Sequence, residues 1–340
     1  METKNRKYRL YFKALVILFV VVFFSAFFLG RYSVDFGHLV KVLWYALIRR
    51  DWNLQYTGAA VVFRVRAPRI ITAALIGAAL STAGVSYQGM FRNPMVSPDV
   101  LGASTGACFG AALSLLLGFN YFGITITAFL FGLSAVLLAY VISRFSRLNA
   151  TLALVLGGVM ISSLFSACTS FIKLIADTTD QLPAITYWLM GSLASIRWAD
   201  LPFAAIPIIV GFIPLFLLRW RINLLTVGED EAKSLGINTG RLRLVVIVCA
   251  TLMTAASVSV SGMIGWVGLV IPHFCRLIYG YDYRRLVPAS ALMGAAFLII
   301  VDNIARIAVT SELPLGILTS FVGAPVFIYL IVTGGEEREH

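Results

Sequence analysis

The chain has 340 residues, 59% of them hydrophobic and 13% charged, and its mean hydropathy of +0.89 lies outside the range of a soluble globular domain. The formal net charge of +11 falls at segment ends and in loops instead of forming one basic surface, which speaks against nucleic acid as a partner. Runs such as residues 14–29 are apolar on every face, so the spans are expected to be helices and not the alternating strands of a barrel.

A helix crossing a hydrocarbon layer of about 30 Å takes roughly 20 mostly apolar residues. Ten segments fit in chain order: 14–30, 70–90, 100–118, 121–142, 150–175, 201–219, 243–260, 263–279, 286–306 and 314–332. The expected organisation is an all-α polytopic membrane domain over 14–332, with a cytoplasmic segment 1–13, a charged cytoplasmic segment 220–242 within it, and a cytoplasmic tail 333–340. The first span follows Lys4, Arg6, Lys7, Arg9 and Lys13, as in a signal peptide. However, Ser25-Ala26-Phe27-Phe28 offers no small-x-small cleavage site, so an uncleaved span is expected.

With both termini inside, the inner loops carry Arg144 and Arg147, then Arg219, Arg221, Lys233, Arg241 and Arg243, then Arg276, Arg284 and Arg285, as the positive-inside rule expects. Residues 31–69 run against it, holding Arg31, Lys41, Arg49, Arg50, Arg64, Arg66 and Arg69 on the outer side. Long loops are loosely governed by the rule and arginines there meet lipid headgroups; the other reading is that something requires the charges.

Small residues recur at helix-packing spacing, Gly102, Gly106 and Gly110 in one span and Ala73, Gly77, Ser81 and Gly84 in another. Pro207, Pro214, Pro288 and Pro325 fall within or near spans, where neighbours must satisfy the freed backbone groups. Asn93-Pro94 with Ser97-Pro98 is expected to end the second span, and Pro272-His273 to do the same for the eighth. Cys108, Cys168, Cys249 and Cys275 have no CxxC spacing and no histidine cluster nearby, so neither a disulfide nor a metal site is expected; His273 lacks a second ligand.

The stretch RVRAPRIITAALIGAALSTAGVSYQGMFRNPMVSPDVLGASTGA from Arg64, the block GMIGWVGLVIPHFCRLIYGYDYRRLVPASALMGAAFLIIVDNIAR, and ELPLGILTSFVGAPVFIYLI beyond it resemble the membrane permease subunits of ABC importers for iron-siderophores, haem or cobalamin. Between them Gly228, Ala232, Leu235 and Gly236 match the cytoplasmic G-x-x-x-A-x-x-L-G pattern of that family. The resemblance runs from about Arg64 to Leu330. It implies the type II importer architecture of ten helices per subunit, a second permease subunit (an identical or related chain), two cytoplasmic ATPase subunits that hold ATP and Mg, and an extracytoplasmic substrate-binding protein. The chain itself is expected to bind no cofactor and to lack an ATPase site. The nearest candidate, residues 228–234, has Ala232 before Lys233 and three carboxylates that would repel a triphosphate.

The resemblance also assigns roles to residues. Arg66, Arg69 and Arg306 stand where the family docks acidic residues of the binding protein; headgroup anchoring, and an i, i+4 pair of Arg306 with Asp302, are the alternatives. The segment Gly228, Glu229, Asp230, Glu231, Ala232, Lys233, Leu235 and Gly236 reads as a short coupling helix in an ATPase groove, with Leu235 as apolar anchor and Gly236 closing the turn, or else as a solvated loop helix. Ser162, Ser163, Ser166, Thr169 and Ser170 would line the translocation path on the fifth span, or serve as helix–helix hydrogen bonds.

Two rivals share the hydropathy. An ion-coupled secondary transporter would usually carry intramembrane carboxylates, whereas Asp302 lies near a span end beside Arg306. A membrane enzyme would need a constellation such as HExxH or GxSxG, and the spans hold neither.

Overall fold

The computed structural model describes residues 2–30, 37, 60–309 and 312–333. The expectations for Arg31, Lys41, Arg49 and Arg50, and for tail residues 334–340, lie outside the described residues. Within them the chain is all-helical, with twelve α-helices and no strand. They are α1 (Glu2–Ser25), α2 (Ala67–Phe91, entered through a π-helical turn Val61–Arg66), α3 (Ala103–Leu116), α4 (Tyr121–Phe145), α5 (Ala150–Ile175) and α6 (Gln181–Leu189). There follow α7 (Leu201–Val227), α8 (Glu229–Ser234), α9 (Thr239–Ser261), α10 (Val267–Tyr279), α11 (Tyr283–Ile307) and α12 (Leu315–Thr333).

Ten of these coincide with the ten expected spans; α6 and α8 are the short extra ones. Burial separates centre from rim. In α2 and α9, 78% of the apolar window is buried inside the chain, against 11% in α1 and 22% in α7, which present their apolar surface to lipid or to another subunit. The small-residue stripes explain how the centre closes. Gly77 of α2 faces Gly294 of α11 so closely that a methyl on either would meet the other's backbone carbonyl. On α3, a Cβ at Gly106 would sit 2.5 Å from the Phe131 carbonyl oxygen of α4, and one at Gly110 2.6 Å from that of Thr127.

Seven helices are long and apolar enough to cross a bilayer, while α3, α10 and the apolar part of α12 are shorter. Two of the short ones are led in by irregular backbone. A 3-10 turn, Pro98–Leu101, and Gly102 at φ 86° precede α3; Leu101 packs on Gly158 of α5, and Pro98 reaches Gly268 at the start of α10. Residues 262–266 ahead of α10 are non-helical. Within a membrane such backbone is stable only when buried in protein, and ahead of α10 the Ser192 N–H donates to the Ser261 carbonyl (2.7 Å) while Gly191 and Gly262 lie against each other.

Two expectations about turns come out differently. Asn93 acts as a turn residue, its Oδ1 accepting from the Met95 N–H at 2.9 Å. Pro272, expected to end a helix, sits inside α10. Its missing N–H leaves the Gly268 carbonyl without an intrahelical donor, and the Gln88 side chain of α2 donates there instead, at 3.4 Å. The four cysteines are free thiols; Cys108, Cys249 and Cys275 are buried and Cys168 is half-buried.

Candidate functional site

The polar chemistry concentrates at the two ends of the central helices. At the outer end, where α2 begins and α11 finishes, four charged side chains interlock. The Arg69 Nε donates to Asp302 Oδ1 at 2.8 Å, and its Nη1 reaches both oxygens of Glu312, at 2.8 and 3.0 Å. Arg306 Nε lies 3.2 Å from Asp302 Oδ2, a contact with the distance of an ion pair but without hydrogen-bond geometry, and its Nη2 donates to Asn303 Oδ1. Asp302 therefore bridges two guanidiniums. Arg66 donates to the Phe27 carbonyl just beyond α1.

All three arginines expected to meet a binding protein are buried, Arg66 and Arg69 at 3% exposure and Arg306 at 7%. The i, i+4 pair of Arg306 with Asp302 is present. Glu312 had no assigned role in the sequence, although it opens the ELPLG stretch that carried part of the resemblance.

At the opposite end α7 runs eight residues past its expected limit, to Val227, and Gly228 introduces α8 in extended backbone (φ 163°). The short helix closes with a Schellman motif: the Ile237 N–H donates to the Ala232 carbonyl (3.0 Å) and the Gly236 N–H to that of Lys233 (2.9 Å), with Gly236 at φ 78°. Ala232 is fully buried and anchors α8 inward, whereas Leu235 is 65% exposed; Glu231 and Lys233 are also exposed, the Glu231 carboxylate lying against Gly228. Glu229 and Asp230 form the first turn; their side chains lie outside the described residues.

Arg276, expected as a loop cation, is instead buried within α10 at 6% exposure and donates to Gln88 Oε1. The Gln88 amide also donates to the Val96 carbonyl at 3.0 Å. This contact ties α10 to the turn after α2. Asn223 accepts from the Tyr283 N–H at 3.4 Å, joining α7 to α11 near the same end. None of these long-range partners has a spacing signal in the sequence.

The fifth span divides its polar residues. Ser163, Ser166 and Ser170 share one exposed stripe, and Ser162 is half-buried over Gly102. Thr169 is buried, and its hydroxyl bonds the Phe165 carbonyl at 2.8 Å, so it faces the body of the chain. The Ser163 and Ser170 hydroxyls likewise bond carbonyls of their own helix, at 2.9 and 3.0 Å, rather than a neighbouring helix.

A family model described as the FecCD transport family matches residues 17–333. The molybdate import system permease protein MolB of Haemophilus influenzae is 38% identical over 94% of the chain and 96% of its own length. The probable iron chelatin transport system permease protein of Helicobacter pylori is 44% identical over 80% of the chain and 82% of its own length. A solved chain described as an inward-facing, metal-chelate type ABC transporter superposes with a TM-score of 0.84 at 38% identity, covering 94% of this chain and 97% of that one.

Proposed function

The chain belongs to the FecCD transport family and is an ABC importer permease, and from that premise we propose that it carries a metal chelate of the iron-siderophore, haem or cobalamin type inward across the cytoplasmic membrane. What supports this reading is the likeness, along nearly the whole chain, to a metal-chelate type transporter, together with the iron chelatin relative. One observation favours a second reading: the relative matching over 94% of the chain imports molybdate, an oxyanion outside the expected chelates.

In this proposal two permease subunits surround the path, two cytoplasmic ATPase subunits bind ATP with Mg, and an extracytoplasmic binding protein delivers the solute. α8 sits in a groove of an ATPase subunit, Leu235 entering it, and closure of the ATPases moves α7 and α9 through the buried Ala232. The exposed serines of α5 line the path. The binding protein seats on the outer end around Arg66, Arg69 and Arg306. Because Arg69 and Arg306 are already paired with Asp302 and Glu312, an incoming carboxylate must compete for them, which suits a reversible dock that contributes orientation more than affinity.

Uptake into liposomes holding the permease, its ATPase and its binding protein tests the reading, with labelled ferric siderophore, haem, cobalamin and molybdate compared with and without ATP. Accumulation of one chelate only when ATP is present supports the proposal. ATP-dependent uptake of molybdate alone moves the assignment to the oxyanion, and movement indifferent to ATP removes the importer mechanism altogether.

A further inference from the structure

Near the N-terminal end of α1 a groove of about 400 Å³ lies between α1 and the junction of α10 with α11. Four cations rim it, Arg9 and Lys13 from α1 and Arg284 and Arg285 from α11, over walls that include Tyr8, Phe12 and Tyr279. Helix geometry builds the two-sided surface. Tyr8 with Phe12 and Arg9 with Lys13 are both i, i+4 pairs, so an aromatic stripe and a basic stripe run side by side up α1. On α11 the two arginines occupy the first turn behind the N-cap Asp282, where the helix dipole disfavours cations and favours an anion.

Aromatic faces hold these guanidiniums in place. That of Arg285 is 4.2 Å from the Tyr8 ring centroid, and that of Arg284 is 5.9 Å from the Trp220 ring. The Asp282 carboxylate lies 3.9 Å from Arg285 Nε. Arg9, Lys13 and Arg284 make no ion pair with a carboxylate among the described residues. Three of the four cations thus have no carboxylate partner among the described residues, and together they call for an anion from outside the chain.

We propose that this groove binds the headgroup of an acidic phospholipid from the cytoplasmic leaflet, its phosphate among the four cations and the start of its acyl chains against Phe12 and the apolar surface of α1. Depth argues for a lipid over a soluble anion. Lys13 is the last cation before the apolar run of α1, which places the groove where headgroups meet hydrocarbon, and the aromatic walls suit an amphiphile better than a hydrated ion. The lipid would tie α1, the least buried of the long helices, to the α10–α11 junction. The proposal holds whichever solute the permease carries.

Native mass spectrometry of the purified permease titrated with palmitoyl-oleoyl phosphatidylglycerol tests it, with phosphatidylcholine as the neutral lipid and inorganic phosphate as soluble competitor. Saturable binding of phosphatidylglycerol over phosphatidylcholine is expected. It should weaken about tenfold or more in Arg9→Gln/Lys13→Gln/Arg284→Gln/Arg285→Gln while persisting in Arg144→Gln/Arg147→Gln, which removes exposed cations elsewhere at the same membrane surface. Should the fourfold variant fail to fold, Arg284→Gln/Arg285→Gln is read against Arg284→Lys/Arg285→Lys, which keeps the charge and should keep the lipid. Equal loss in the Arg144/Arg147 control, or no loss in the groove variants, overturns the site. Displacement by millimolar phosphate would mean that a free phosphate, not a lipid headgroup, is its ligand.

Discussion

Asp302 is 1% exposed and shared between Arg69 and Arg306, so its charge is what allows two guanidiniums to be buried at the outer end of the bundle. Taking away one member of a buried ion pair strands its partner, at a cost of about 3 to 5 kcal/mol. Asp302→Asn keeps the shape and removes the charge, and is expected to lower the thermal midpoint of the detergent-purified permease well below that of the wild type. Glu312→Gln, at a side chain 29% exposed and with Arg69 still holding Asp302, should cost only about 1 kcal/mol or less. Equal midpoints for Asp302→Asn and wild type would show that the network does not support the fold and would leave docking as its sole role. The Asp302–Arg306 pair is legible in the sequence because helix spacing alone brings i and i+4 together. Arg69 lies 233 positions from Asp302, and one sequence carries no periodicity that reports such a contact.

The short helix α8 makes a different kind of claim, since its backbone is fixed by the chain itself while its apolar tip is left outside. Leu235 contributes little to the isolated permease at 65% exposure, yet burying a leucine in a partner's pocket is worth roughly 1.5 to 3 kcal/mol. Leu235→Glu is therefore expected to leave the melting of the permease unchanged while weakening its association with the ATPase subunit about tenfold or more, as measured by co-purification at graded concentrations. Undiminished association would place the coupling contact elsewhere. The closing glycine of α8 is readable in advance because a Schellman turn demands a left-handed residue at that position. The two half-length helices are not. Residues 263–279 are apolar apart from His273 and Arg276, so hydropathy cannot distinguish a full span from four non-helical residues followed by α10. The turn at Trp266 (φ 69°) depends on packing against Gly323 and Phe327 far along the chain.

The loop charges distinguish the two ends of the molecule once the outer network of Arg66, Arg69 and Arg306 is set aside as already paired or buried. Arg144, Arg147, Lys233, Arg241, Arg284 and Arg285 lie at one end with α8 and the start of α11, while Asp177, Asp180 and Glu312 lie at the other. The contacts agree with a strict alternation of the spans, since Arg66 reaches the end of α1, the Gln181 amide reaches the Leu116 carbonyl at the end of α3 (3.2 Å), and Asn223 reaches the start of α11. By the positive-inside rule the α8 end is expected in the cytoplasm, with the shorter α3 and α10 each counted as one crossing. Single cysteines at Thr178 and Ser234, both exposed, test this in a Cys168→Ser background that removes the one native thiol not buried. A membrane-impermeant maleimide should label Thr178→Cys in intact cells and Ser234→Cys only in inverted vesicles. The reverse pattern would put α8 and the basic groove beside α1 on the outer face, where no cytoplasmic ATPase could reach Leu235. Labelling of both positions from one side would mean an even number of crossings between them, so that α7, the single span joining the two loops, did not traverse the bilayer as its 27 residues allow.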